Sequence, residues 1–324
     1  MRAFLTGATG FIGGRLARAL RTRGDEVVAL VRTPSKAGEL AGLGCELHPG
    51  DLADEGTIRA AVRGCDSAFH VAAAYEIGIP RSARPAMFDA NVRGTGRVLD
   101  AAREAGVVRT VYVSTIAAFG NTRGKVVDET HRHPKDRFGS YYEETKALAH
   151  ELALDRIDRG APVIVVCPGG VYGPGDTSGL GQLIDRVHTG RMPVRMYPEA
   201  GFNWVHVDDV VAGILLAHDR GRIGETYVLG GQLGTIGDMM DAVAEASRRK
   251  APRWRMPGPL IKAGIPFGPL IGKAFGIGPN LGEVIRSGED TTYWATDDKI
   301  RRELGYAPRD LRTGVGHMLS QSGG

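Results

Sequence analysis

Thr6-Gly7-Ala8-Thr9-Gly10-Phe11-Ile12-Gly13 decides the reading of the fold. Before it lies a short apolar run, residues 3–5, that reads as a buried strand; after it, residues 11–23 carry apolar positions at helical spacing. Strand, glycine turn and helix in immediate succession form an anion site, because the first amides of a helix have no intrahelical acceptor and the helix dipole favours negative charge. Gly7 suits the tight turn, Gly10 a close backbone approach to a pyrophosphate, and Gly13 close packing of helix on strand. The spacing is G-x-x-G-x-x-G, which departs from the usual G-x-G-x-x-G, so the context of strand and amphipathic helix carries the expectation of a dinucleotide.

The pattern repeats outward from there. Strand-like runs at Glu26–Val31, Ser67–His70, residues 110–113 and residues 163–167 alternate with helical stretches at 85–105 and 141–159. Apolar strands separated by helices imply βαβ units and a parallel sheet covered on both faces. The expected fold is therefore α/β, a Rossmann-type doubly wound parallel sheet with a smaller C-terminal substrate-binding lobe. Residues 1–168 are assigned to the dinucleotide-binding domain, with 204–235 returning to it, and 169–203 and 236–324 mainly to the lobe. Residues 168–176, rich in Gly and Pro, read as an irregular connection, and 252–280 as short helices and turns.

Cofactor choice is read at the end of the second strand, where an acidic residue would bond a ribose hydroxyl and a basic one would meet a 2′-phosphate. Val31-Arg32-Thr33-Pro34-Ser35-Lys36 holds no carboxylate; Arg32 supplies a planar fork and Lys36 a second cation. NADP is expected, with NAD possible. Asp51-Leu52 can meet the adenine or, equally, Asp51 can sit in a turn before the next helix; the small residues Val71-Ala72-Ala73 would lie beside the cofactor.

Tyr142 and Lys146 are four residues apart in a helical stretch, hence on one face. A free phenol titrates near pKa ~10, and a neighbouring ammonium is expected to lower that value and make proton transfer efficient.

With these residues in place, the chain resembles the extended short-chain dehydrogenase/reductase superfamily, in its dihydroflavonol reductase-like and NAD-dependent epimerase/dehydratase branch. The resemblance rests on Thr6–Gly13, His70–Ala73, Asn91-Val92-Arg93-Gly94-Thr95, residues 113–120, Tyr142–Lys146 and Val171-Tyr172-Gly173-Pro174-Gly175, in that order over nearly the whole chain. It implies that Tyr142 is the general acid/base, that Lys146 also holds the nicotinamide ribose, and that Thr115 stands where more members have serine, with Ser114 as the fallback. It also implies that Asn91 helps order the site and that Pro168, Gly169 and Val171 line the nicotinamide. His206 and Asp208-Asp209 match a recurring strand–helix junction, read here as structure, with Asp208 or Asp209 as helix cap and no metal site.

Composition bounds the rest. A net charge of +4 without a basic stripe argues against nucleic acid, and no run reaches the length of a membrane span. Cys45, Cys65 and Cys167 form no paired motif, and no signal peptide is read, so a cytoplasmic protein with reduced thiols is expected. Tyr172, Trp204, Trp254, Phe267 and Phe275 would line an apolar substrate site. Three activities compete: a ketone or aldehyde reductase acting on a small carbonyl or alcohol, a nucleotide-sugar epimerase/dehydratase, and a non-catalytic dinucleotide sensor. A homodimer through residues 85–105 and 141–159 is a further expectation of the resemblance.

Overall fold

The structure, a computed structural model, describes residues 1–268 and 280–321. Among them, seven parallel strands form one sheet in the order β3-β2-β1-β4-β5-β6-β9. These are β1 (Arg2–Thr6), β2 (Glu26–Val31), β3 (Glu46–Pro49), β4 (Ser67–His70), β5 (Arg109–Val113), β6 (Val163–Pro168) and β9 (Thr226–Leu229). The strand order reverses between β1 and β4, which leaves a crevice at their C-terminal ends, the place where open α/β sheets bind ligands. The chain is a doubly wound Rossmann-type α/β protein.

Helices cover both faces. α1 (Phe11–Thr22) and α8 (Val207–Arg220) pack together on one side, burying Leu16, Leu20, Val210 and Ile214 against Leu5, Val111 and Val166. On the other side lie α3 (Glu55–Val62), α5 (Gly94–Glu104) and α6 (Tyr141–Asp158). The strand runs are almost wholly apolar because parallel strands between helix layers have no wet face.

The region expected to be one irregular connection, 168–176, contains a strand. β7 (Gly170–Tyr172) pairs in parallel with β8 (Gly201–His206), which also pairs with β10 (Gln232–Thr235) and β11 (Thr292–Tyr293) in a second, smaller sheet. Glycine permits this approach: a Cβ on Gly170 would stand 2.8 Å from the Trp204 ring, and one on Gly169 2.2 Å from the Asn203 carbonyl. The run at Trp204 thus belongs to the second sheet, whereas α8 and β9 after it join the first.

A third core forms where α7 (Gly179–His188), α9 (Ile236–Ala246) and the last helix, Leu311–Gln321, enclose Tyr172, Trp204, Met239 and Met240. Tyr172 and Trp204 are therefore core residues and not a substrate lining. Trp254 and Phe267 are exposed, and Phe275 lies outside the described residues. No helix among the described residues is long and apolar enough to cross a membrane.

Candidate active site

The glycine turn begins with a positive φ of 75° at Gly7, which an L side chain rarely adopts. A Cβ there would also meet the Ala72 nitrogen at 2.7 Å. At Gly13 the constraint is packing: a Cβ would stand 2.1 Å from the Gly7 carbonyl oxygen. Gly10 ends the turn, gives no side-chain cap to α1, and is exposed beside Thr9. The amides of Phe11, Ile12 and Gly13 thus open a helix whose first turn carries no acidic side chain. This cradle fits a dinucleotide pyrophosphate.

Thr6, expected to touch the cofactor, has its hydroxyl committed inside the protein. It accepts the Ala72 N–H at 3.3 Å and bonds His70 Nδ1 at 2.7 Å. His70 Nε2 bonds the Thr95 hydroxyl at 3.0 Å, which itself donates to the Asn91 carbonyl at 2.7 Å. The Thr95 proton being used, Nε2 must donate and Nδ1 accept, so one neutral tautomer satisfies every group. Burial, with the nearby Lys146 charge, pushes His70 down to about 3. Thr6 therefore shapes the turn from within.

Past the C-terminal end of β2, Arg32 and Lys36 are exposed, and neither makes an ion pair among the described residues. Two free cations follow the strand end that would face an adenosine ribose. Asp51 accepts the Ala53 N–H at 2.8 Å in a local turn, and Asp54 caps α3 through Gly56 and Thr57. Leu52 is half-buried, its carbonyl held by Arg97 at 3.0 Å. Val71 and Ala72 line the exit from β4 half-buried, and Ala73 is exposed. Val171 packs from β7 against the main core, and the Pro168 carbonyl accepts the Thr115 hydroxyl at 3.5 Å.

The catalytic candidates meet at the start of α6. Ser140 caps that helix by accepting the Glu143 N–H at 3.1 Å. Tyr142, in its first turn, is partly accessible, with the Thr115 hydroxyl facing its phenol. Thr115 also accepts the Ala117 N–H at 3.2 Å, which orients it. The fallback, Ser114, points into the core instead and bonds His150 Nδ1 at 2.9 Å, as strand alternation requires.

Lys146 corrects one expectation. Its ammonium is buried against β5, donating to the Val113 carbonyl at 3.2 Å and the Tyr112 hydroxyl at 3.4 Å. It is not what sets the Tyr142 phenol, which burial and the neighbouring Tyr75 and Tyr112 hold above its ordinary value; only the Thr115 hydroxyl acts the other way.

Asn91 is a strut. It sits in a π-helical turn, Asp89–Arg93, between α4 (Arg84–Phe88) and α5, a local widening often found at functional sites. Its amide exchanges two hydrogen bonds with the Ala74 backbone, at 2.7 and 3.0 Å, and donates to the Thr145 hydroxyl at 3.0 Å. The loop after β4 is thereby tied to the helix that carries Tyr142.

Two features escape any local motif. Tyr75, just beyond the Asn91 clamp, lies edge-on to Tyr142 with ring centroids 4.8 Å apart. Glu283, far along the chain, accepts the Tyr141 backbone N–H at 2.8 Å. Only an aromatic next to a strand-end loop could have hinted at the first, and no sequence signal pointed to the second.

At the second sheet, the helix cap differs from expectation. His206 itself caps α8 by accepting the Asp208 N–H at 3.2 Å, while Asp209 forks with the Arg309 guanidinium at 2.9–3.1 Å. His206, Asp208 and His317 do lie within 4.8 Å of one another, a grouping the spacing did not reveal. Most of their ligand atoms are already engaged: His206 Nδ1 holds the cap, Asp208 pairs with Arg15 at 3.4 Å, and His317 Nδ1 meets Arg309 at 3.2 Å, while His206 Nε2 is buried without a hydrogen-bond partner among the described residues. Two guanidinium groups beside the cluster fit a cation poorly.

A glycine cradle at the switch point of a parallel sheet, with a tyrosine and a lysine one helical turn apart on α6, defines a nicotinamide-dinucleotide enzyme of Rossmann type. The chain belongs to the NAD dependent epimerase/dehydratase family, whose profile matches residues 3–230. It is 36% identical to a 4-hydroxy-2-methyl-3-oxo-4-farnesyl-3,4-dihydroquinoline-1-oxide ketoreductase of Stigmatella aurantiaca, covering 95% of this chain and 92% of that protein. It is 34% identical to a putative dihydroflavonol 4-reductase of Synechocystis sp., over 78% of this chain and 75% of the relative. Among solved structures, that of gox2253 superposes with a TM-score of 0.84 at 35% identity, covering 99% and 98% of the two chains.

Proposed function

We propose that the protein is an NADP(H)-dependent reductase of a ketone or aldehyde, or the dehydrogenase of the corresponding alcohol, with Tyr142 as the general acid/base. The observation that carries this reading is the Tyr142 phenol standing partly accessible at the cleft with the Thr115 hydroxyl before it. Two relatives, one named a ketoreductase and one a putative dihydroflavonol 4-reductase, support it. Arg32 and Lys36, without an ion pair among the described residues at the end of β2, support the phosphorylated cofactor.

Bound NADPH would supply a hydride to the carbonyl carbon. The glycine turn and the first amides of α1 would hold its pyrophosphate, and Arg32 with Lys36 its 2′-phosphate. Turned from the Pro168 carbonyl, the Thr115 hydroxyl would donate a hydrogen bond that orients the carbonyl oxygen, and Tyr142 gives that oxygen its phenolic proton as negative charge develops. A phenol held above its ordinary value keeps its proton until this moment, which suits a donor in reduction. Lys146, its ammonium fixed against the end of β5, would hold the ribose hydroxyls. Asn91 positions the helix and the loop after β4 relative to each other.

The family's own description favours a second reading, in which hydride leaves and returns during sugar-nucleotide epimerisation or dehydration. Absorbance at 340 nm separates the two. Stoichiometric loss of NADPH with a ketone panel supports the reductase; turnover of a UDP-sugar without net loss replaces it with the epimerase.

A further inference from the structure

The loop leaving β4 is fixed at both ends. Ala74 exchanges two backbone hydrogen bonds with Asn91, and the Gly78 carbonyl accepts the Asn280 N–H at 2.8 Å. Between these anchors the Tyr75 side chain is 55% exposed, although large aromatic rings generally find cover. Its hydroxyl makes no hydrogen bond among the described residues. The ring is nevertheless well placed, standing at 86° to the Tyr142 ring with centroids 4.8 Å apart.

Burial, and after it the charge of Asp176 in the loop after β7, hold the Tyr75 phenol above its ordinary value. Asp176 Oδ1 accepts the Ser178 N–H at 2.8 Å, while Oδ2 is buried with no hydrogen-bond partner among the described residues. An aromatic with an open face, on a backbone clamped on both sides, thus adjoins the proton donor. Such a ring loses little entropy when a ligand covers it, because its backbone is already clamped.

We propose that Tyr75 is a specificity-determining residue whose open ring face stacks on a cyclic, ring-bearing ketone while Tyr142 bonds the carbonyl oxygen. This rests on the reductase reading and adds the substrate class to it. A small acyclic ketone reaches Tyr142 and Thr115 and leaves Tyr75 uncovered; a fused-ring ketone covers all three.

The test compares kcat/KM for 1-tetralone and 2-butanone in the wild type, Tyr75→Ala and Tyr75→Phe, all saturated with NADPH. Tyr75→Ala loses at least tenfold more on 1-tetralone than on 2-butanone, through KM, and Tyr75→Phe recovers most of that difference. Equal losses on both ketones, or a loss confined to kcat, overturn the proposal, since Tyr75 would then act only through Tyr142. If the wild type reduces neither ketone, the reductase reading fails by itself. Calorimetric binding of 1-tetralone to the NADP-saturated protein then decides Tyr75: tenfold weaker binding by Tyr75→Ala supports the proposal, and unchanged or absent binding overturns it.

Discussion

The Glu283 carboxylate accepts the backbone N–H of Tyr141 at 2.8 Å, so a residue of the C-terminal region caps the helix that presents Tyr142. The carboxylate is fully buried, bonded also by Asn280 at 3.2 Å and Arg84 at 3.5 Å, and its charge suits the positive end of the helix dipole. A reciprocal contact runs the other way. Glu143, from the same helix turn, accepts from the Tyr293 hydroxyl of β11 and from His133 Nε2 at 2.9 Å. His133 Nδ1 accepts the Lys135 N–H, which leaves its proton on Nε2, and that bond is satisfied with a neutral imidazole.

Breaking this clasp is therefore expected to affect both stability and turnover. Glu283→Ala leaves the Tyr141 amide and the Arg84 guanidinium short of an acceptor, at a cost of about 1–3 kcal/mol. A thermal melt should show a lower midpoint and the ketone assay a lower kcat. Glu283→Gln, which keeps an acceptor oxygen, should recover most of both. Equal damage in the two variants would mean that charge, and not the hydrogen bond, holds the helix.

Gly13→Ala tests the cradle. With a Cβ 2.1 Å from the Gly7 carbonyl, α1 has to move off the turn, and the pyrophosphate site opens with it. Fluorescence titration should show NADPH affinity reduced by at least tenfold while the far-UV spectrum stays close to wild type. Affinity within twofold of wild type would remove the turn from the cofactor site.

Arg32→Ala addresses cofactor choice. A charge-assisted bond to a phosphate is worth about 1.5–3 kcal/mol, or roughly 10–100-fold in affinity. The KM for NADPH should rise by that factor and the KM for NADH should hardly move. A parallel rise in both would assign Arg32 a general electrostatic role.

Buried neutral histidines set the acid limit of stability. Burial pushes His70 down to about 3 and His150 to about 4, both below the unfolded value near ~6.5. Between those values the unfolded chain binds protons that the folded protein does not, so stability is full above pH ~6.5 and falls as the pH drops. Each histidine contributes a slope of roughly 1.4 kcal/mol per pH unit in that window. Denaturant melts from pH 7 to 5 should show this decline, and His150→Gln should flatten it by one histidine's share. An unchanged slope would show that His150 does not resist protonation.

The Rossmann core was legible because its strands are buried on both faces and so appear as plain apolar runs, and because Gly7 and Gly13 mark a turn few other residues permit. Tyr142 and Lys146 were legible through helical periodicity, yet their electrostatics were not. The partners of Lys146, Val113 and Tyr112, come from a strand more than thirty residues away. β7 escaped notice since three residues, Gly-Val-Tyr, become a strand only when β8 arrives beside them. Tyr75 and Glu283 carry no motif; their positions follow from the Asn91 clamp and from a contact spanning 142 residues of chain. The cap on α8 moved to His206 because Asp209 is drawn to Arg309, a partner 100 residues away.

Tyr142→Phe bears on the central claim most directly. It removes one hydroxyl and leaves the ring packed against Tyr75. Single-turnover reduction with NADPH should slow by about 10²–10⁴-fold, the usual worth of a placed proton donor, with NADPH affinity within twofold of wild type. A variant that keeps a tenth or more of the wild-type rate would show that the proton comes from another group.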